Sequence, residues 1–336
     1  MSELVPSRVA VITGASSGIG LCTARLFATR GWRVGLIARG AEGLAEAAAQ
    51  IRAAGGDVAT AEADVADSAA LDRATTTIEA ALGPVTLWIN NAGASFYGRF
   101  LDITEEEFHR VLHTTLLGTV NGTRIALQRM SPRQHGTIIN VGSAVAYRGT
   151  PLQAPYSAAK FGVRGFTEAI RSELIHDRSP IHLGIVHPPS VNTPFFSHAG
   201  ARMAGEPRPL PPVYQPEIIA DAIWLAATER RREIRITGST LQLSWLDKLA
   251  PGLADRLMAV IGFPAQRTTN EEVQRLRDPA LFHPPTTSAL VHGPFGREAF
   301  ASSAQMWGEH HRLAVAVGLA VFATLLVPRR IGLRRR

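Results

Sequence analysis

The apolar run Val9–Ile12 is broken by Thr13-Gly14-Ala15-Ser16-Ser17-Gly18-Ile19-Gly20, and apolar residues then return at helical spacing as far as Thr29. A buried strand that turns through small residues straight into a helix commits a chain to βαβ construction. Only such residues let the backbone reverse so tightly. The same turn aims the first N–H groups of the helix outward, which suits an anion such as a pyrophosphate. At this point a plain glycine turn between strand and helix is the alternative.

The alternation continues. Branched apolar runs predict strands over 34–37, 87–90, 137–141 and 181–187. Longer stretches with apolar residues three and four apart predict helices over 44–54, 108–130, 156–176 and 217–228. A parallel sheet covered on both faces follows, in an α/β class. The segment 194–216, crowded with proline and glycine, reads as a mobile loop. At 336 residues, one large domain with an extension fits best.

Charge and cysteine content exclude several roles. Of the net charge of +7, Arg329, Arg330, Arg334, Arg335 and Arg336 supply five, leaving 7 − 5 = +2. No basic stripe interleaved with aromatics remains, so no nucleic-acid partner is expected. Cys22 is the only cysteine, which excludes an intrachain disulfide. The stretch from Met1 to Arg8 has no apolar run and does not read as a signal peptide, so the main domain is expected in the cytoplasm.

Three further motifs carry chemistry. The second predicted strand ends Ala38-Arg39, where an acidic residue would bind ribose hydroxyls and repel a 2′-phosphate. A small residue followed by a cation favours NADP(H) over NAD(H). Asn90-Asn91-Ala92-Gly93 follows the next central strand, placing short amides and a glycine beside the same turn. Ser143 ends a later strand, and Tyr156 and Lys160, four apart on a helix, share one face.

A free phenol has a pKa of about 10 and is a poor base near neutrality. An ammonium about 4 Å away in an effective dielectric of about 20 favours phenolate by roughly 4 kcal/mol, about three orders of magnitude. Only Lys160 and Lys248 are lysine among 35 lysines and arginines, so position 160 calls for a compact ammonium. Ser143 would bond the substrate oxygen while Tyr156 gives or takes its proton.

Taken in order, Thr13 to Gly20, Asn90 to Gly93, Ser143, Tyr156 and Lys160 resemble the short-chain dehydrogenase/reductase family over roughly residues 7 to 240. The resemblance implies a Rossmann-type doubly wound sheet in the order 3-2-1-4-5-6-7, hydride transfer at a carbonyl or alcohol carbon, and homo-oligomers formed through two long helices. It assigns cofactor contacts to Thr13, Gly14, Ser16, Ser17, Gly18, Ile19 and Gly20, beside the Arg39 already singled out by its charge, and to Asp64 and Val65 at the adenine. Asn91, Ala92 and Gly93 and the catalytic Tyr156 and Lys160 belong to the same set. Pro188, Val191 and Thr193 match the segment that holds the nicotinamide carboxamide. Two positions depart from the pattern. Thr115 stands where the family usually has an asparagine that supports a proton relay, and Pro189 where glycine is common.

The domain plan is therefore a catalytic unit over 1–240, an extension of short helices over 241–312, and an apolar segment with an arginine-rich tail over 313–336. Phe195, Phe196, Met203, Leu210 and Tyr214 lie in or beside the proline-rich loop, where they either wall a site for a lipophilic small-molecule substrate or pack against the body of the domain. His283, His292, His310 and His311 match no ligand spacing and are read as surface residues, with no metal. The uncharged stretch 313–327 would reach only about 22 Å as a helix, short of the roughly 30 Å hydrocarbon core. Attachment to the cytoplasmic face of a membrane, with the arginines on anionic headgroups, is the expectation. The rival reading is a dinucleotide-binding regulatory or scaffold protein with impaired turnover, resting on Thr115 and Pro189.

Overall fold

The computed structural model describes residues 8–268, 275–277, 280–285, 289–315 and 317. The apolar runs form seven strands: β1 Val9–Thr13, β2 Arg33–Ala38, β3 Val58–Glu62, β4 Leu87–Asn90, β5 Thr137–Val141, β6 His182–His187 and β7 Glu233–Arg235. They pair in parallel in the order β7-β6-β5-β4-β1-β2-β3, which is the doubly wound order that the resemblance implies. Both faces are covered. Helices α1 Gly18–Thr29, α2 Ala41–Ala53 and α7 Pro216–Thr228 bury Leu21, Phe27, Leu44, Ile51 and Ile223 on one side. On the other, α3 Ser68–Leu82, α5 Gly118–Met130 and α6 Ala154–His176 cover Ile78, Trp88, Ile125 and Ile138.

Strands β3 and β7 escaped the sequence pattern because both are edges. Val58-Ala59-Thr60-Ala61-Glu62 is only half-buried and lacks an apolar run, and its extended form is held by the ladder to β2. The long helix expected over 108–130 starts earlier, as α4 Glu105–Leu112. A capping box fixes that start, with Glu107 N–H donating to Thr104 Oγ1 (3.2 Å) and Thr104 N–H to Glu107 Oε2 (2.8 Å). A π-helical turn, His113–Leu117, joins it to α5.

The expectation of a mobile loop over 194–216 is corrected. Phe195–His198 forms a helical turn, Gly200–Met203 pairs with Phe96–Gly98 and with Arg275–Arg277, and Val213–Tyr214 pairs with Ser190–Val191 and with Ala299–Phe300. The prolines fall between these short ladders, and the strands that complete them come from far along the chain. Met203 and Tyr214 consequently pack into the body of the protein, Met203 beside Tyr97 and Phe196 and Tyr214 against Phe300.

Beyond β7 the chain forms α8 Gly238–Leu249, α9 Pro251–Leu257 and a π-helical turn, Met258–Gly262. Arg148 ties both helices down through Asp247 (2.6 Å) and Asp255. Residues 280–285 and 289–293 then cross the carboxyl ends of β1 and β2, and α10 Ala304–His310 packs on α7. His292 meets Glu217 at 2.8 Å and His310 meets Asp221 at 2.5 Å. Among the described residues no helix is long and apolar enough to cross a membrane. Residues 318–336, which hold most of the uncharged stretch and the arginine tail, lie outside the described residues.

Candidate active site

The order of strands reverses between β1 and β4, so the loops that leave them part and open a crevice at their carboxyl ends. Asn91 spans the crevice floor, its Nδ2 donating to the carbonyls of Thr13 (3.0 Å) and Gly14 (3.2 Å). The Thr13 hydroxyl accepts in return from the N–H groups of Asn91 and Ala92, each at 3.1 Å. Gly14 (φ +64°) and Gly18 (φ +54°) occupy left-handed conformations that disfavour any side chain. At Gly20 a Cβ would stand 2.2 Å from the Gly14 carbonyl oxygen.

Every site residue expected from the sequence lines one cavity of about 320 Å³, except Thr13, Gly20 and Thr115. Thr13 and Gly20 act from behind it, by the contacts just described. The fit to a dinucleotide rests on the cradle itself: among the described residues no side chain caps α1, Gly18 N–H meets only the Leu290 carbonyl at 2.8 Å, and Gly18 and Ile19 of its first turn line the cavity. Asp64 and Val65 lie at one end, with Asn121 Nδ2 holding the Val65 carbonyl at 2.9 Å. Pro188, Val191 and Thr193 lie at the other. That segment is fixed by Ala144 N–H to the Pro188 carbonyl (2.8 Å) and Asn192 N–H to the Tyr214 carbonyl (2.9 Å). Neither bond needs the N–H that Pro189 lacks.

The reactive side chains meet at this second end. Ser143 caps a short turn by accepting from Val145 N–H (3.1 Å), and its hydroxyl bonds the Tyr156 phenol. The half-buried Tyr156 ring sits 5.6 Å from that of Phe195, and Lys160 Nζ lies 5.7 Å from its centre. Lys160 is buried and donates to the Val141 carbonyl at 2.7 Å. The expected dominance of lysine over the phenol is not what the protein by itself does. Burial pushes the phenol up to about 12 against the Ser143 hydrogen bond, and burial pulls the ammonium down to about 8. Desolvation disfavours both charged forms and outweighs the mutual attraction considered from spacing alone.

Thr115 is fully buried and stands behind Ala94, outside the cavity lining. Its hydroxyl accepts from Ala94 N–H and donates to the Ala94 carbonyl, both at 3.0 Å, which pins the loop after β4 to the π-helical turn. The neighbouring Thr114 lines the cavity instead, with a buried hydroxyl that has no hydrogen-bond partner among the described residues. Of the residues expected to make the substrate wall apolar, Phe195, Phe196 and Leu210 do line the cavity, joined by Met258.

Sequence reading missed two supporting residues. His187 is fully buried with Nδ1 3.0 Å from the Ser143 carbonyl, which can only accept and so marks Nδ1 as the protonated nitrogen. Burial holds this imidazole down at about 4, against the pull of Glu233, and a Cβ on Gly142 would fall 2.6 Å from Nδ1. Its only local signal is a polar residue ending an otherwise apolar strand. Arg110 pairs with Asp64 at 2.5 Å and donates from Nε to the Leu281 carbonyl at 3.0 Å. Burial alone would raise the Asp64 carboxyl, but the Ala66 N–H bond and Arg110 outweigh it and hold it low. Arg39 lines the cavity, yet its guanidinium donates to the carbonyls of Leu281 (2.9 Å) and Ala280.

Comparison with known proteins gives consistent relatives. The short chain dehydrogenase family matches residues 8–204. An uncharacterized oxidoreductase, YxnA, of Bacillus subtilis is 38% identical over 263 residues, covering 77% of this chain and 73% of its own. The 3-oxoacyl-[acyl-carrier-protein] reductase of Bos taurus is 36% identical over 186 residues, 55% of this chain and 76% of its own. Among solved structures, a single-substitution variant of actinorhodin polyketide ketoreductase with NADPH superposes with a TM-score of 0.62 at 28% identity, covering 70% of this chain and 97% of that one.

Proposed function

The chain belongs to the short-chain dehydrogenase family, and on that premise we propose that it is an NADP(H)-dependent reductase of a lipophilic ketone or aldehyde. One observation carries the reading: Ser143, Tyr156 and Lys160 meet at the end of the cavity walled by Phe195 and Phe196. A phenol at about 12 is protonated near neutral pH and stands hydrogen-bonded to Ser143 at the apolar end of the cavity. An alkoxide forming on reduction is a far stronger base, comparable to hydroxide from water of pKa about 15.7, so Tyr156 gives its proton readily. When bound, the reduced nicotinamide supplies the hydride. Ser143 orients the carbonyl oxygen, His187 holds the Ser143 backbone, and Lys160 places positive charge beside the developing oxyanion. Relatives named as 3-oxoacyl and polyketide ketoreductases support the reaction class. The preference for NADP(H) rests on Ala38, which brings no carboxylate, and on the guanidinium of Arg39 in the cavity wall.

The test is NADPH consumption against a panel of ketones and aldehydes of increasing chain length, with Tyr156→Phe beside the wild type. The substitution should lower kcat by about 10²- to 10⁴-fold. Undiminished turnover in Tyr156→Phe would remove the proton donor from the account. No turnover of any carbonyl, with cofactor bound, would favour the regulatory reading.

Two aspects of assembly belong to the same reading. Leu117 beside α5 and Phe161 on α6 are large exposed apolar residues on the helix pair through which the chain would form a homo-oligomer. Phe161→Glu should then lower the mass seen in sedimentation, and an unchanged mass would refute that face. Leu313, Val315 and Val317 begin the uncharged stretch and are exposed, consistent with attachment to a membrane surface through 313–336. Equal partition of the chain with and without that segment in fractionation would rule attachment out.

A further inference from the structure

Tyr97 brings a second phenol to the reactive end of the cavity, within electrostatic reach of the Tyr156 phenol. The short strand Phe96–Gly98 fixes its place from two sides. Tyr97 pairs with Ala201 in the ladder to Gly200–Met203. On the other side Gly98 N–H donates to the Leu152 carbonyl at 2.9 Å, and Ser95 Oγ donates to Gln153 Oε1 at 3.5 Å. The ring packs among Leu152, Phe196 and Met203, with its centre 6.5 Å from that of Phe196, and the residue is only 1% exposed. Its hydroxyl nevertheless makes no hydrogen bond among the described residues. Burial, reinforced by the Tyr156 phenol, pushes this phenol well above its ordinary range, so it stays protonated. A buried polar group without a partner is rare, and one that lines a cavity is held ready for a ligand.

We propose that Tyr97 binds a second acceptor oxygen of the substrate, so that the site takes a carbonyl compound oxygenated again within a few carbons of the carbon reduced, such as a 2-oxo or 3-oxo ester, rather than a simple ketone. The inference rests on the reading of the cavity as a carbonyl-reducing site. A carbonyl oxygen has two lone pairs, and Ser143 and Tyr156 take both. The Tyr97 hydroxyl is left for another oxygen of the same molecule, and its nearness to Tyr156 sets that oxygen close to the first. Phe195, Phe196 and Met258 then receive the alkyl chain. Both requirements together describe an amphipathic substrate with its two oxygens at the reactive end.

NADPH oxidation is compared for a 2-oxo ester, a 3-oxo ester and the monoketone of equal chain length, on the full chain and on Tyr97→Phe. That substitution keeps the ring and removes only the hydroxyl. For at least one ester, the ratio of its kcat/KM to that of the ketone should fall about tenfold in the variant, the worth of one buried hydrogen bond. Ratios within twofold of the wild type for both esters refute the subsite. If no compound is turned over, the reductase reading fails by itself, and binding decides the subsite. The NADPH complex of Tyr156→Phe, with and without Tyr97→Phe, is then titrated with the same compounds by fluorescence. The added substitution should weaken an ester about tenfold relative to the ketone. Unchanged relative affinity, or no binding of either ester, refutes the subsite. Urea denaturation gives a readout that a structural role would move. Tyr97→Phe loses no hydrogen bond of the protein, so its midpoint without ligand should not fall. A fall would assign the hydroxyl to the fold and overturn the proposal.

Discussion

Replacing Lys160 with methionine should stabilise the fold while abolishing the chemistry. Lys160 is 4% exposed, and its one described hydrogen bond is to the Val141 carbonyl. Burial lowers its pKa from 10.5 to about 8, which at about 1.4 kcal/mol per tenfold change amounts to about 3 kcal/mol. A depressed folded-state pKa contributes stability above the unfolded value and loses it as pH falls through the folded value. The wild type therefore carries the whole penalty below about pH 8 and none above 10.5. Methionine fills similar volume without charge, but leaves the Val141 carbonyl unpaired at about 1–3 kcal/mol. The expected net gain at pH 7 is roughly 0–2 kcal/mol, and above pH 10.5 the variant should be no more stable than wild type. Urea denaturation followed by circular dichroism at both pH values measures this, with NADPH-dependent reduction assayed in parallel. Lower stability of the variant at pH 7, or a gain unchanged at high pH, would show that burial of the ammonium does not carry the penalty argued here.

Two further perturbations probe the supports of the site. In Gly20→Ala the added methyl group meets the Gly14 carbonyl oxygen at 2.2 Å, a backbone atom that cannot step aside. NADPH affinity should fall at least tenfold with about 1–3 kcal/mol of stability, and a variant that binds NADPH normally in titration would contradict the cradle. Thr115→Val leaves the N–H and carbonyl of Ala94 without their partner, so the urea midpoint should drop by an amount equivalent to about 1–3 kcal/mol, while Thr115→Ser should keep most of it. Equal stability of the valine and serine variants would deny the hydroxyl this pinning role.

Chemistry carried by local spacing was legible from the chain alone. The glycine turn, the apolar strands and the placement of Tyr156 and Lys160 on one helical face depend on residues within a few positions of each other, and backbone geometry converts that spacing directly into structure. The π-helical turn and the edge strands were less visible, because neighbours in space decide them. Motifs far apart in the chain were expected to share one site, and the cavity brings most of them together, but its electrostatics were not legible. Spacing predicted a phenol eased toward ionisation, whereas the protein buries the pair and moves both pKa values toward neutrality of the groups.

Order along the chain determined a parallel sheet covered on both faces, and the family resemblance implied its winding. Partners brought from a distance decided the rest: Arg39 meets Leu281 across 242 residues, and His187 meets Ser143 across 44. No periodicity or motif encodes such pairs. A hydrogen bond between remote residues exists only once the apolar faces between them have packed, and desolvation likewise becomes known only when the burial around each charge is complete.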